Sequence, residues 1–417
     1  MDRRTMFKGV AGAGIAAALP QSRAAAAERP ALVDLAAGAK PISRAERVDR
    51  ISRLQAQLRK AGIGAILIEA GSSLDYFTGI QWWCSERMTA AVIPSNGEPV
   101  VVTPFFEAPS IKETLDVPAS VRTWDEHENP MALVAGWLRE RKLTARPLAL
   151  EETVREFIRD GLHKAMPRAA IVSGADQVRA VRMRKTAAEL ALMQVANTIT
   201  LNAMNHAAAQ IRKGMTPADI VALIVAATRK QGGDADGGLV LLGEAAAYPH
   251  GSHQKQEVRE GEVILMDCGC QVHGYTSDIS RTIVLGESSA ELRKVWAHVR
   301  QGQQIVMDTA RVGIECGAVD DAVRRHYESL GYGPGYKLPG LSHRTGHGIG
   351  MDGHEPVNLV HLEKTRMDVG MCFSNEPGIY LPGKFGVRLE DCFTITADGP
   401  RSFTGLSRGI DPAEAFS

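Results

Sequence analysis

The sequence predicts a two-domain protein, with an α/β N-terminal domain over residues 45–178 followed by an α+β C-terminal domain over residues 179–410. Three observations predict it. A chain of 417 residues exceeds what a single core ordinarily organises. Helix-period and strand-period segments alternate up to about residue 175. Beyond that point, paired helical stretches give way to runs of strands, and do so twice. With 44% hydrophobic and 23% charged residues, the composition supports an ordinary core. Basic and acidic side chains balance at 48 each, so no net field favours nucleic acid or an anionic membrane as partner.

In the first domain, Val48, Ile51, Leu54 and Leu58 share one helical face, and Gly62 stops that helix. Ala65–Glu69 reads as a buried strand, and Met88–Ile93 with Pro99–Thr103 flank Asn96-Gly97, a hairpin signal. Met131–Arg141, Leu148–Leu150, Val154–Met166 and Ala169–Val172 then alternate helix and strand. The basic segment Arg179–Lys185 separates the domains. Thr186-Ala-Ala-Glu189 is a capping box opening a long helix that ends before Gly214, and Thr216-Pro217 opens another with proline at its first position. Strands start at Leu239. Ser288-Ser-Ala-Glu291 caps a helix running to about Ala310, a shorter one ends at Gly331, and strands resume after His343 through Ile395.

Ahead of the domains, Asp2-Arg-Arg-Thr-Met-Phe-Lys8, a mildly apolar Val10–Leu19 and the small residues Ala24–Ala27 resemble a twin-arginine export signal over residues 1–27. Residues 28–44 read as a leader. This implies a periplasmic protein. No apolar run reaches the roughly 18 residues of a membrane helix, so no membrane partner is expected after processing. The six cysteines, Cys84, Cys268, Cys270, Cys316, Cys372 and Cys392, form no C-x-x-C pair. Four lie in apolar strand-like runs, where buried free thiols are the expectation.

The C-terminal half echoes itself. Glu260-Gly-Glu-Val-Ile-Leu-Met-Asp267-Cys-Gly269 parallels Val369-Gly-Met-Cys-Phe-Ser-Asn-Glu376-Pro-Gly378. Each is an apolar strand ending in a carboxylate, and each is followed, after a glycine-containing turn, by a second acid: Asp278 and Glu390. Acids at the ends of apolar strands are costly to bury unless their charge is compensated. Four converging acids would repel one another strongly, and two divalent cations would balance them. Asp267, Asp278, Glu376 and Glu390 therefore read as a metal cluster. His343-Arg-Thr-Gly-His347-Gly-Ile-Gly-Met-Asp-Gly-His354 adds imidazoles among glycines, which let a backbone approach a site closely.

These blocks resemble those of the "pita-bread" metallopeptidases, a family that includes Xaa-Pro dipeptidase, Xaa-Pro aminopeptidase and creatinase. The resemblance rests on Asp267–Thr282, His343–Pro356, Asn375–Tyr380, Gly386–Asp391 and Pro249-His250-Gly251, and in the N-terminal half on Asp75–Gly79 and Ser85–Arg87. It implies a pita-bread catalytic domain that hydrolyses Xaa-Pro peptides with a hydroxide bridging two divalent ions. Asp267 and Asp278 would hold one ion, His347 and Glu376 the other, and Glu390 would bridge. Glu376 would also act as base, with His250 and His354 as catalytic histidines and His343 and Arg388 shaping the pocket for proline or its carboxylate. The carboxylate-rich set favours Mn²⁺ first, then Co²⁺ or Zn²⁺. A homodimer is implied, with the Trp82-Trp83 region a candidate cap over a neighbouring active site or simple packing within its own domain. Arg344 departs from the glycine many relatives carry, and would narrow the pocket or hold a carboxylate.

Dipeptidase is slightly favoured; aminopeptidase action on longer peptides stays open. A creatinase-type hydrolase and a non-catalytic binding protein on the same scaffold are disfavoured by the intact ligand types.

Overall fold

The computed structural model describes residues 32–235 and 237–416, so segment 1–27, expected as an export signal, lies outside the described residues. The first domain is built of α1 (Arg44–Lys60), β1 (Ala65–Glu69), α2 (Ser72–Thr78), β2 (Ala90–Pro94), β3 (Val100–Pro104), α3 (Ala108–Thr114), β4 (Ser120–Trp124), α4 (Pro130–Glu140), β5 (Leu148–Leu150), α5 (Glu156–Ala165), β6 (Ile171–Ser173) and α6 (Ala175–Arg182). Its strands form one mixed sheet in the order β4-β3-β2-β1-β5-β6. Strand β1 is buried on both faces, so its side chains split by parity. Ile66 and Ile68 pack with Ile51, Leu54, Leu74 and Val178, while Ala65 and Leu67 pack with Val134, Leu138, Ile158 and Leu162 on the other side. The expected face of α1 is corrected at one position: Val48 is exposed, and Arg50 is buried instead.

The second domain contains α7 (Ala187–Ala208), α8 (Pro217–Lys230), β7 (Leu239–Leu242), β8 (Val263–Cys268), β9 (Gln271–Val272), β10 (Tyr275–Thr276), β11 (Ile279–Val284), α9 (Ala290–Thr309), α10 (Cys316–Ser329), β12 (Gly346–Gly348), β13 (Glu355–Leu359), β14 (Cys372–Asn375), β15 (Gly378–Leu381), β16 (Phe385–Arg388), β17 (Asp391–Thr396) and β18 (Gly399–Ser402). Both threonine capping boxes form, at Thr186–Glu189 and Thr216–Asp219. The cap of α9 is Ser289, one residue later than the sequence pattern places it.

The internal echo is a structural repeat. Antiparallel β8 and β11 enclose the small hairpin β9–β10, just as β14 and β17 enclose β15–β16. The two units join where Ser280 N–H donates to Glu390 O (3.3 Å) and Glu390 N–H donates to Ser280 O (3.0 Å). Alternate residues of β8 bury against the two helix pairs: Ile264 and Met266 face Met204, Ile220 and Ile224, while Val263 and Leu265 face Val295, Val299 and Val319. The sheets are thus held between α7–α8 and α9–α10, with the carboxylates at the strand ends.

Polar side chains fasten the domains together. Arg50 donates to Tyr76 O and Tyr275 Oη and lies 3.4 Å from Glu189, which also serves in the α7 capping box. Residues expected as a leader pack on the second domain: Leu35 N–H donates to Gln231 O, and Leu32 adjoins the apolar cluster of α7 and α8. The basic segment between domains grips buried Glu355, which accepts from Arg182 (2.7 Å) and Lys185 (2.8 Å). Burial pushes the Glu355 pKa up, but Lys185 and Arg182 outweigh it and hold it at about 2. All six cysteines are free, five of them buried.

Replacing Glu355 with alanine leaves Lys185 and Arg182 without their shared counter-ion, and is expected to cost about 3–5 kcal/mol in urea unfolding at neutral pH. Because the folded pKa lies below the ordinary 4.5, this contribution is present above pH 4.5 and is lost as pH falls toward 2. The deficit of the variant should therefore shrink across that window; a deficit that is absent at pH 7 contradicts this account.

Candidate metal centre

Asp267 lies in β8 and Asp278 immediately before β11; Glu376 follows β14 and Glu390 immediately precedes β17. The repeat therefore delivers two acids from each unit to one place, and His347, in the middle of β12, points among them. The ligand atoms of His347, Glu376 and Glu390 lie within 4.8 Å of one another, and so do those of Asp267, Asp278 and Glu390. Glu390 belongs to both groups, the position of a bridging ligand. His354 reaches the same cluster, within 4.8 Å of Asp278 and His347, and its ring stands edge-on to His347 at a centroid distance of 4.2 Å.

The residues fit divalent ions on three counts. First, His347 Nδ1 lies 3.0 Å from Gly348 O, which can only accept. The ring therefore carries its proton on Nδ1 and turns the Nε2 lone pair toward Glu376 (3.4 Å), Asp278 (3.7 Å) and Glu390 (3.8 Å). A lone pair facing three carboxylates is repulsive until a cation stands between them. Second, buried Glu390 Oε1 has no hydrogen-bond partner, although Ser280 Oγ donates to Oε2 at 2.8 Å. Third, Asp278, Glu376 and Glu390 resist ionising. Burial, then neighbouring carboxylates, raise Asp278 and Glu390 well above the carboxylate range. Burial, opposed by Arg388 and reinforced by Asp267, raises Glu376 to about 7. Burial and the nearby His354 hold His347 neutral, down at about 3.

Close backbone approach explains the glycines beside His347. A Cβ on Gly346 would stand 2.2 Å from Ser374 O, and one on Gly348 2.6 Å from Glu355 O. Ser374 Oγ accepts from His347 N–H, and Thr345 O accepts from Glu376 N–H. From α10, Asp320 accepts from Thr345 N and Oγ1, and Arg324 donates to Leu341 O and His343 O, pinning the segment from below.

His343 is held by Tyr380, whose hydroxyl lies 2.8 Å from Nε2; burial, then Arg388, lowers its pKa to about 3. His250 is exposed on the loop after β7, within electrostatic reach of His343 and His354. Arg388 donates from Nη2 to Asp267 (2.5 Å), from Nε to Ser280 Oγ, and from Nη1 to Pro249 O and Tyr380 Oη. With four of its N–H groups engaged, it orients Asp267. Ser280 and Asp320 escaped the sequence reading; neither lies in a pattern of charge or periodicity that marks it. Trp82 and Trp83 stack at 4.7 Å with Trp83 67% exposed, on a cavity between the domains.

A sandwiched repeat that aims four acids and an imidazole at one point defines a metal-dependent hydrolase. The model of metallopeptidase family M24 matches residues 191–397 and that of the creatinase/prolidase N-terminal domain residues 50–184. The chain belongs to metallopeptidase family M24. It is 33% identical over 387 residues to an uncharacterised peptidase of Schizosaccharomyces pombe, covering 88% of this chain and 82% of that one. It is 30% identical to the Xaa-Pro dipeptidase of Lactobacillus helveticus, over 86% of this chain and 98% of the relative. The crystal structure of dipeptidase PepE from Mycobacterium ulcerans superimposes with a TM-score of 0.80 at 28% identity, covering 89% of this chain and 99% of that one.

Stripping the ions exposes the strain among these acids. A raised folded pKa stabilises below the ordinary 4.5 and ceases to do so as pH climbs through about 7. The stability gap between metal-loaded and chelator-treated protein should widen from pH 5 to pH 8, by roughly 3 kcal/mol from Glu376 alone. Thermal unfolding at several pH values reads this gap, and one that narrows toward pH 8 contradicts the assignment.

Proposed function

We propose that this metallopeptidase cleaves the Xaa-Pro bond of dipeptides. The observation that carries the proposal is the complete donor set of Asp267, Asp278, His347, Glu376 and Glu390 at one point, ringed by His250, His343 and His354. The Xaa-Pro dipeptidase and PepE likenesses, which run almost end to end, support the substrate class. Intact ligands stand against a creatinase-type reaction and against a non-catalytic scaffold.

In this reading Asp267 and Asp278 would hold one divalent ion, His347 and Glu376 would hold the other, and Glu390 would serve both. Such ions, when bound, polarise a carbonyl and make water acidic enough to act near neutral pH. Glu376 takes the proton from the attacking water. His354, exposed beside His347, and His250 donate hydrogen bonds to the carbonyl oxygen as it gains charge, and the proton that Glu376 took from water passes to the leaving imino nitrogen. An Xaa-Pro bond has no N–H, so a site that requires no such donor admits it where others lose a contact. Donors so rich in carboxylate favour manganese. The Arg3-Arg4 segment supports export to the periplasm, and the family resemblance supports a homodimer; cell fractionation and sedimentation test those two statements.

The decisive assay strips the protein, restores Mn²⁺, Co²⁺ or Zn²⁺, and compares Ala-Pro, Ala-Ala and Ala-Pro-Ala. Ala-Pro should exceed Ala-Ala in kcat/KM by at least about tenfold. Preference for Ala-Pro-Ala makes the enzyme an aminopeptidase instead, and preference for Ala-Ala ends the proline assignment.

A further inference from the structure

Among the described residues, the arginines and lysines around the site are engaged, with one exception. Arg388 holds Asp267, Ser280, Pro249 O and Tyr380. Arg324 holds Asp320 and three carbonyls, of Gly335, Leu341 and His343. Arg182 and Lys185 hold Glu355. Arg281 holds Asp391 and the carbonyls of Ser280, Glu390, Gly405 and Ala415. Arg344 is different. It is half-buried, and its one hydrogen bond runs from Nη1 to the neutral Asn358 Oδ1 at 3.1 Å. Among the described residues, no carboxylate pairs with it and no group accepts from Nε or Nη2. That leaves one flat edge of the guanidinium unpartnered, the edge that matches two carboxylate oxygens.

Its place is equally specific. Asn358 pairs with the ligand His347 across β12 and β13, so the brace of Arg344 stands on the strand beside the metal ligand. The Arg344 charge is felt at His347, His354 and Glu376. The groove that opens on Asp267 and Asp278, of about 320 Å³, carries Asp234 as well; Arg344 is not in its wall, and no basic side chain is. The site is therefore electrically polar, with acids lining one approach and a free cation beside the histidines. A dipeptide is a zwitterion whose two ends carry the complementary charges.

We infer that Arg344, oriented by Asn358, receives the C-terminal carboxylate of the substrate and thereby restricts the enzyme to dipeptides. This rests on the Xaa-Pro reading above. A peptide extended past proline carries its carboxylate beyond reach and puts a neutral amide against the guanidinium. Arg344 touches the substrate away from the breaking bond, so it acts chiefly on binding.

The test compares Ala-Pro, Ala-Pro-amide and Ala-Pro-Ala on metal-loaded wild type, Arg344→Met and Arg344→Lys, with Asn358→Leu as a variant that leaves the guanidinium in place but unbraced. Unchanged unfolding midpoints show that the folds survive. Wild type should prefer Ala-Pro to its amide by about 100-fold, and Arg344→Met should lose about that factor on Ala-Pro alone, mainly through KM. Arg344→Lys and Asn358→Leu should fall between. If wild type cleaves Ala-Pro but Arg344→Met keeps the preference over the amide, the inference is overturned and the Xaa-Pro reading stands. If wild type cleaves no proline substrate, the Xaa-Pro reading fails and takes the inference with it.

Discussion

Mutual repulsion among four carboxylates, in surroundings that exclude most water, is the constraint around which the catalytic domain is organised. Each acid lies at the end of an apolar strand, and burial already disfavours the charge of Asp278, Glu376 and Glu390. Bringing four of them to one point multiplies that penalty, and the neutral His347 turns a lone pair toward them instead of a proton. Among the described residues nothing relieves the whole of this charge. Arg388 pairs with Asp267, Ser280 donates to one oxygen of Glu390, and Ser374 donates to one of Glu376. The remainder is a standing demand for divalent cations, so metal binding supplies stability as well as chemistry.

The scaffold's task is to keep the acids from moving apart. Two repeated strand units share the load, and their junction at Ser280 and Glu390 fixes the bridging ligand by backbone bonds. Below that junction, fully buried Arg281 pairs with Asp391 at 2.6 Å and donates to Glu390 O, so the peptide carrying Glu390 is fixed from both sides. Asp320 and Arg324 do the same for the histidine segment. The segment between the domains contributes by clamping Glu355, next to His354, between Arg182 and Lys185. Hydrogen bonds of this kind orient ligands before any ion arrives, which is why changes at such positions disturb metal sites nearly as much as loss of a ligand.

Much of this was legible in the sequence because period and composition carry it. The capping boxes of α7 and α8, the β2–β3 hairpin around Asn96-Gly97 and the paired acid-ended strands all follow from local pattern, and each forms. What the sequence conceals is long-range partnership. Arg50 reads as a solvent-facing residue of an amphipathic helix; it is buried because Tyr275 and Glu189, more than a hundred residues away, meet it across the domain boundary. For Arg388 the resemblance implies a place in the pocket, and only the fold shows that Asp267, Ser280, Tyr380 and Pro249 engage it. Arg344, one residue from a histidine, gains its meaning from that same elimination.

The central claim is that these five side chains exist to hold two ions. It is tested most directly by metal analysis of purified protein, reconstituted with Mn²⁺ and dialysed, beside an Asp278→Ala variant. The account predicts about two ions per wild-type chain, fewer in the variant, and Ala-Pro hydrolysis that appears and disappears with them. Wild-type protein that retains no ion, with activity indifferent to chelator and to the substitution, would contradict it.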